Sequence, residues 1–362
     1  MQLLRMFTAI CMVLFAGTLA RADVFTVVDV PIDAYGASVT EARRAAISAG
    51  TEEAANRLVE RLTLQSDRYE ANWSQIDAAL ASQLVAGIQI QDEKRSNRRY
   101  LGRLQVTFDQ TRVRDFLRAQ NLPFVEAQTA NALILPVWNG AEGAVLWRNN
   151  LWRQTWQNSR PEHDLTPLNL PLTDLGDQQA LTANQAIRFE HEALATLAKR
   201  YDVTKIVVAI ATNNGPGRVE VRVGIVSWND EGRASVRHQR FYGDGNDMGT
   251  GLRALKKAYV RARADLVASL EREWKQRAVV RNDTITQVRL TASYTSLSQW
   301  RRIRDVLAKS PLVREARLDA LSADGALMTL TYVGTEQQLA TQLAEGGVLF
   351  GDSDIGPVAR LR

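Results

Sequence analysis

The sequence predicts an α/β and α+β protein of three domains, a central mixed-sheet α/β domain flanked by two ferredoxin-like (βαββα) modules. Three observations predict it. Val203–Thr212 is a run of β-branched and small apolar residues, too short for a helix and suited to a strand buried on both faces of a sheet. An amphipathic helix leads into that run and two alternating strands follow it, which implies a mixed sheet with helices on its faces. The segments on either side read strand, helix, strand, strand, helix, the split ferredoxin-like order. The expected boundaries are 1–22 for a leader, 23–126, 130–279 and 283–362.

The leader is read from Arg5, the apolar run Met6–Leu19 and the small residues around Ala20-Arg21-Ala22. This is the pattern of a secretory signal peptide cut after Ala22, and it predicts a periplasmic protein. The run is shorter than the roughly 20 residues a membrane span needs. No later run is long and apolar enough, so no transmembrane helix is expected after cleavage. Cys11 is the only cysteine, so the mature chain is expected to carry no disulfide, thiol nucleophile or thiolate metal site. Without Arg5 and Arg21 the chain has 43 basic and 40 acidic residues, about +3. That balance is too mild to imply nucleic acid as a partner.

In the first module, Val24–Ile32 alternates as a strand. Ser38 and Glu41 form a capping-box pattern for a helix that carries Ala42, Ala46, Leu58, Val59 and Leu62 on one face and Gly50 as a weak point. A shorter helix is expected at about Trp73–Gln83. Ile88 and Ile90, then Leu104, Val106 and Phe108, alternate around a polar turn at Ser96-Asn97, a hairpin. Asp109 caps a last helix that stops before Pro123. Lys94, Arg95, Arg98 and Arg99 cluster at the hairpin tip, either as an anion contact or as a solvated turn.

The central domain starts with the apolar strand Ala132–Trp138 and a helix around Leu146–Gln157. Pro167–Leu172 reads as a short edge strand. Thr182 and Gln185 open a helix that runs on to Tyr201 and delivers the chain to the central strand. Val219–Ile225 and the run ending at Phe241 form an antiparallel pair. A long helix from about Leu252 to Arg277 closes the domain. In the third module Ile285–Ala292 is a strand and Ser296 with Gln299 caps a helix. Val313–Leu321 and Ala326–Val333 are strands around Ser322-Ala323-Asp324-Gly325. Thr335 with Gln338 opens the last helix, and Val348-Leu349-Phe350 adds a short strand.

Motifs for chemistry are few. The glycine-rich stretch Gly243–Gly251 has neither the Lys-Ser/Thr of a P-loop nor the dinucleotide spacing, and it lacks the glutamate of an EF-hand. His163, His191 and His238 are scattered and lack zinc-peptidase spacing. There is no Gly-x-Ser-x-Gly elbow. No cofactor, metal or catalytic residue is expected, and the protein is read as not an enzyme. Trp147, Trp152 and Trp156 offer indoles that stack on sugars or sit at a membrane interface, or that pack a helix onto the sheet. Arg301, Arg302 and Arg304 lie on the outward face of a helix and suit an anionic lipid surface.

The chain resembles DUF2066, an uncharacterised bacterial envelope family. The resemblance is carried by Glu41-Ala42-Arg43-Arg44-Ala45-Ala46, Leu133–Trp138 and Leu146-Trp147 with Trp152 and Trp156, then by Glu273-Trp274-Lys275 and Ser298-Gln299-Trp300. It implies an envelope protein without an assigned activity. The expected function is an exported, non-enzymatic binding or assembly scaffold for another envelope component, presenting sheet faces and edges to its partner. The alternatives are a glycan- or anionic-lipid-binding module that uses the tryptophans and arginines, and a hydrolase with a non-standard site.

Overall fold

A computed structural model describes residues 23–157, 159–229, 232–248, 251–281, 284–354 and 356–362. The expected leader, its cut after Ala22 and Cys11 lie outside the described residues. The chain is a mixed α/β protein with three sheets. Among the described residues no helix is long and apolar enough to cross a membrane.

The first sheet is built from β1 (Thr26–Tyr35), α1 (Val39–Leu62), α2 (Gln65–Glu70), α3 (Ala78–Leu84), β2 (Val85–Arg95), β3 (Arg99–Phe108) and α4 (Gln110–Ala119). Its strands run antiparallel in the order β1-β3-β2. Alanines at 42, 46, 54 and 55, with Leu58, Val59 and Leu62, bury one face of α1. Gly50 lies where that helix sits closest to the sheet. A Cβ there would overlap Ile32 and Leu104, so the apparent weak point is the contact that lets helix and sheet meet. The Ser38 hydroxyl accepts from Glu41 N–H, but the Glu41 carboxylate accepts from Ala37 N–H at 2.8 Å, so only half of the expected capping box forms. The unforeseen α2 and the late start of α3 follow from Asn56. Its amide exchanges two hydrogen bonds with the backbone of Ile76, at 2.9 and 3.0 Å, and holds residues 71–77 as a loop.

The second sheet contains β4 (Ala132–Gly140), β5 (Gly143–Val145), β6 (Leu168–Asn169), β7 (Lys205–Asn213), β8 (Arg218–Trp228) and β9 (Ala234–Asp244). The order is β5-β4-β7-β8-β9, with β6 beside the start of β4. Strands β4 and β7 are parallel, while β7-β8 and β8-β9 are antiparallel. The helices between are α5 (Leu151–Gln157), α6 (Leu175–Ala180), α7 (Ala183–Ile187) and α8 (His191–Arg200), and α9 (Leu252–Ala278) closes the unit. Strand β7 is buried on both faces, as its composition predicts. Val207, Ala209 and Ala211 meet Trp152, Tyr259 and Leu266 on one side. Ile206, Val208 and Ile210 meet Leu181, Leu194 and Leu197 on the other.

Two expectations change here. The helix expected from Thr182 to Tyr201 breaks into α7 and α8. Phe189 takes a left-handed backbone, φ 55°, and its ring fills the space over Gly224. The capping box of Thr182 and Gln185 forms in full. The edge strand expected at Pro167–Leu172 shrinks to the two residues of β6.

The third sheet follows with β10 (Ile285–Ser293), α10 (Leu297–Lys309), β11 (Val313–Leu321), β12 (Gly325–Val333), α11 (Glu336–Glu345), β13 (Val348–Ser353) and β14 (Gly356–Leu361). Its order is β11-β12-β10-β14-β13, with β14 parallel to β10. The third unit opens with strand, helix, strand, strand and helix as expected, whereas in the first, three helices lie between β1 and β2. The first has three strands, and in the third β14 is inserted between β10 and the strand that follows α11.

One helix joins the three units. The first five turns of α9 bury Ala254, Ala258, Tyr259, Ala262 and Leu266 against the second sheet. Its last turns leave that sheet and enter the first core. Trp274, 1% exposed, belongs to the first hydrophobic cluster, and its indole N–H donates to Ala127 C=O at 2.6 Å. The Lys275 ammonium donates to Glu60 C=O and Thr63 C=O, both at 2.8 Å. These carbonyls end α1, where a helix lacks intrahelical partners and favours a cation. The third unit closes on the same place. Gln338 Nε2 donates to Val279 C=O, and Glu345 Oε2 accepts from Ala130 N–H, both at 2.6 Å. Arg281 pairs with Asp67 at 2.7 Å.

Two outcomes are expected at this junction. Trp274→Ala costs about 3–5 kcal/mol, the range for truncating a buried tryptophan, read by urea unfolding. Burial lowers the Lys275 pKa to about 8, below the ordinary lysine value near 10.4. Between those values the unfolded chain holds a proton that the folded chain has shed, so stability rises with pH across the window, by up to about 1.4 kcal/mol per unit. The wild-type stability minus that of Lys275→Met is therefore expected to climb from pH 8 to 10 and to be flat below 8.

Candidate functional site

The strongest candidate for an interaction surface is the outer edge of β2. Strand β3 pairs with one side of β2, and among the described residues no strand pairs with the other. Only Val85 and Ile90 in β2 are even partly buried, because α1 lies over β1 and β3. Ile88 is 39% exposed, although it pairs opposite the fully buried Val106. Residues 85–91, Val-Ala-Gly-Ile-Gln-Ile-Gln, contain no charge and no proline. Charges begin at Asp92, where a positive φ of 53° coincides with a register shift between Gln91 and Lys94.

The other long edges are protected. Natural sheets blunt their edges with charges, prolines and bulges. Strand β11 carries Arg314, Glu315, Arg317 and Asp319 and has two register shifts. Strand β1 carries Pro31 and Asp33 and shifts between Val27 and Val30. Strand β9 carries Arg237, His238 and Arg240 and packs under α9. Among these strands, β2 presents the long uncharged edge.

A groove of about 720 Å³ runs beside this edge, between α1 and β2. Ile47, Val85, Ile88 and Tyr100 give it apolar walls, and Arg43, Arg44 and Arg95 stand along it against Glu93. The Arg43 guanidinium lies 5.8 Å from the Tyr100 ring centroid, a cation–π distance. Tyr100 is fully buried, and its hydroxyl makes no hydrogen bond of normal length and angle among the described residues, although Glu93 and Arg43 face it. Burial, and then nearby Glu93, raises its pKa.

The tryptophan expectation is corrected. Trp152 and Trp156 are 0% and 2% exposed and stack edge to face at 5.5 Å. The Trp152 indole N–H donates to Ala209 C=O in the central strand. Their rings are core, and no sugar can reach them. Trp147 is half-buried, with its N–H spent on Leu181 C=O at 2.7 Å. Arg301, Arg302 and Arg304 are exposed on α10, as expected, although Arg304 is drawn to Asp305 at 3.0 Å. At the hairpin tip Arg99 forms a two-pronged pair with Asp33, leaving Lys94, Arg95 and Arg98 exposed.

The glycine-rich stretch serves close packing where it is described. A Cβ on Gly243 or Gly245 would strike the carbonyls of Ala258 and Ala254 in α9. Asp247 is held by Lys257 and Arg261, both at 3.0 Å. Among the described residues no three His, Cys, Asp or Glu side chains group as metal ligands. His163 contacts Asp23 C=O, and His238 meets the edge of the Phe189 ring.

The fold also brings together Asp164 and Glu271, which nothing in their spacing foreshadows. Burial raises both pKa values, with Arg61 opposing it in each case. Glu271 accepts Leu165 N–H at 3.2 Å, which gives it a structural task in the module junction.

A family model described as a domain of unknown function (DUF8605) matches residues 32–126, from within β1 to just past α4. No curated protein matches, and no solved structure matches. The resemblance to DUF2066 is therefore corrected, since the matching family is a different one. Many of the apolar residues that carried the resemblance are packing residues. Ala42 and Ala46 face the first sheet, Trp152 and Trp156 fill the second core, and Trp274 and Trp300 are buried. Amphipathic helices lying on sheets produce such patterns in unrelated chains.

Tyr100→Phe tests the groove's wall. Removing a buried hydroxyl without a well-formed hydrogen bond is expected to stabilise the chain by about 1 kcal/mol. A loss of that size in urea unfolding would show that the hydroxyl is hydrogen-bonded.

Proposed function

We propose that this chain is an exported, non-enzymatic scaffold of the cell envelope that captures an extended segment of another envelope protein along β2. The uncharged, uncovered edge of β2 is the observation that carries the reading. Unpaired amides and carbonyls on such an edge hydrogen-bond to an added strand, while alternate side chains are read by a neighbouring groove. The apolar walls suit alternating Val, Ile or Leu, and Arg43, Arg44 and Arg95 suit acidic flanks. In this reading the flanking units are modified ferredoxin-like modules, a class of small sheets with helices on one face and partners on the other. The periplasmic location rests on the leader pattern around Arg5 and Ala22.

The test uses two labelled peptides with the same alternating Val-Thr core, one flanked by aspartates and one by lysines. The mature chain is expected to bind the acidic peptide by fluorescence anisotropy and to bind the basic one at least about tenfold more weakly, as charge complementarity requires. Ile88→Asp places a charge on the edge and is expected to abolish binding while shifting stability by less than about 1 kcal/mol, as an exposed site allows. Equal binding of both peptides, or binding unchanged in Ile88→Asp, contradicts the reading.

A contact with anionic lipid through Arg301 and Arg302 remains the second reading, favoured by their exposure on α10.

A further inference from the structure

A second cavity, of about 260 Å³, lies at one end of the second sheet, where β4, β7 and β9 begin and β8 ends, beneath the last turns of α9. Its wall includes Lys205, Arg237 and Arg277, against the single carboxylate of Glu273. Glu273 is already committed, to Arg237 at 2.6 Å and to Gln239 Nε2 at 2.6 Å. Glu345, the other acid that acts on Lys205, is tied to Ala130 N–H.

Lys205 is the unusual member. It opens the central strand and points its charge into a partly buried space. Among the described residues its ammonium makes no hydrogen bond or ion pair. Burial pulls its pKa below the ordinary lysine value. Lys205 is half-buried, so its unpartnered charge is held partly out of water at some cost, and such groups concentrate at ligand sites. A second, independent sign is Thr166. It lines the same cavity and is 7% exposed, and among the described residues its hydroxyl has no hydrogen-bond partner. Unsatisfied buried polar atoms are rare in native proteins and call for a missing partner. An ammonium and a guanidinium only donate and a hydroxyl can donate, so the partner that suits all three is an acceptor that carries negative charge.

We propose that this cavity binds a phosphate group, with Lys205 and Arg277 meeting its charge and the Thr166 hydroxyl donating to one of its oxygens. The walls hold two more positive than negative side chains, which matches a phosphate dianion. The volume leaves room for a small ester group beside the phosphate. The cavity touches α9, β7 and the segment around Thr129, so an occupant bridges the long helix and the start of the central strand. Ligand binding to the folded state alone then raises its stability in proportion to the logarithm of occupancy.

The experiment measures thermal unfolding and calorimetric binding of the full mature chain at constant ionic strength. The probes are inorganic phosphate, glycerol 3-phosphate and phosphatidylglycerol vesicles, with chloride as the reference. A saturable rise in Tm with either soluble phosphate assigns a soluble ligand. A response confined to vesicles and lost in Lys205→Met assigns a lipid headgroup. In both cases Lys205→Met and Arg277→Gln are expected to weaken binding by about tenfold or more, the loss of one charge-assisted hydrogen bond. Arg277 is exposed, so its variant folds normally, and Arg301→Gln on α10 serves as a charge-matched control without effect. Lys205→Met without ligand is expected to melt at or above the wild-type temperature, because a desolvated charge is removed. No saturable response to any probe, the same response in chloride, or full binding by both variants overturns the proposal. A marked loss of ligand-free stability in Lys205→Met overturns it too, by giving the ammonium a structural role.

Discussion

The architecture depends on how the carbonyls that end α1 are satisfied. A helix terminus inside a protein leaves acceptors that need donors. Here the donor is an ammonium delivered by another unit, Lys275 of α9, beside an indole that donates to Ala127. A 27-residue helix spans about 40 Å at 1.5 Å per residue, which is enough to cover the second sheet and still reach into the first core. The three sheets are thereby arranged by one rigid rod. Its amino-terminal half is ordinary amphipathic packing, and its carboxy-terminal half is a polar plug with an aromatic cap.

That arrangement decides which surfaces remain. Because the helices of the first unit sit over β1 and β3, β2 is left uncovered among the described residues. The edges of β1 and β11 are disarmed by charge, whereas residues 85–91 of β2 carry none, although their pairing with β3 also shifts register between Val85 and Gly87. An exposed edge of this kind carries an aggregation risk, and its retention beside an arginine-lined groove is what gives the scaffold reading its force. The same long helix roofs the cavity at Lys205. The two candidate sites thus lie on different units and use different chemistry, one a backbone ladder and the other a cluster of positive side chains with an unpartnered lysine.

Much of the fold is legible in the sequence because it is written in local patterns. The doubly buried strand around Ile206–Ala211, the box of Thr182 and Gln185 and the hairpin turns are set by residues within a few positions of one another. What stayed hidden is set at a distance. Asn56 shapes the loop before α3 through Ile76, and Phe189 breaks a helix because Gly224 leaves room for its ring. The strand Gly356–Leu361 is recruited by parallel pairing to β10. For the candidate sites the limit is sharper. The run Val85–Gln91 reads as an ordinary strand until the order β1-β3-β2 shows it to be an edge. Lys205 reads as a flank of an apolar run until Arg237 and Arg277 close around it. The tryptophans at 152 and 156 misled for the converse reason, since an aromatic pair at helical spacing looks alike whether it faces solvent or a sheet.

Amide hydrogen exchange along β2 and the end of α9, in the isolated mature chain, tests this account most directly. It predicts fast exchange at alternate amides of residues 85–91, those that point away from β3, together with slow exchange at 270–278 and at the end of α1 that is lost in one cooperative step. Uniformly slow exchange along β2 would contradict it, because the edge would then be covered already. Exchange at 270–278 that is independent of α1 would show that the long helix does not hold the units together.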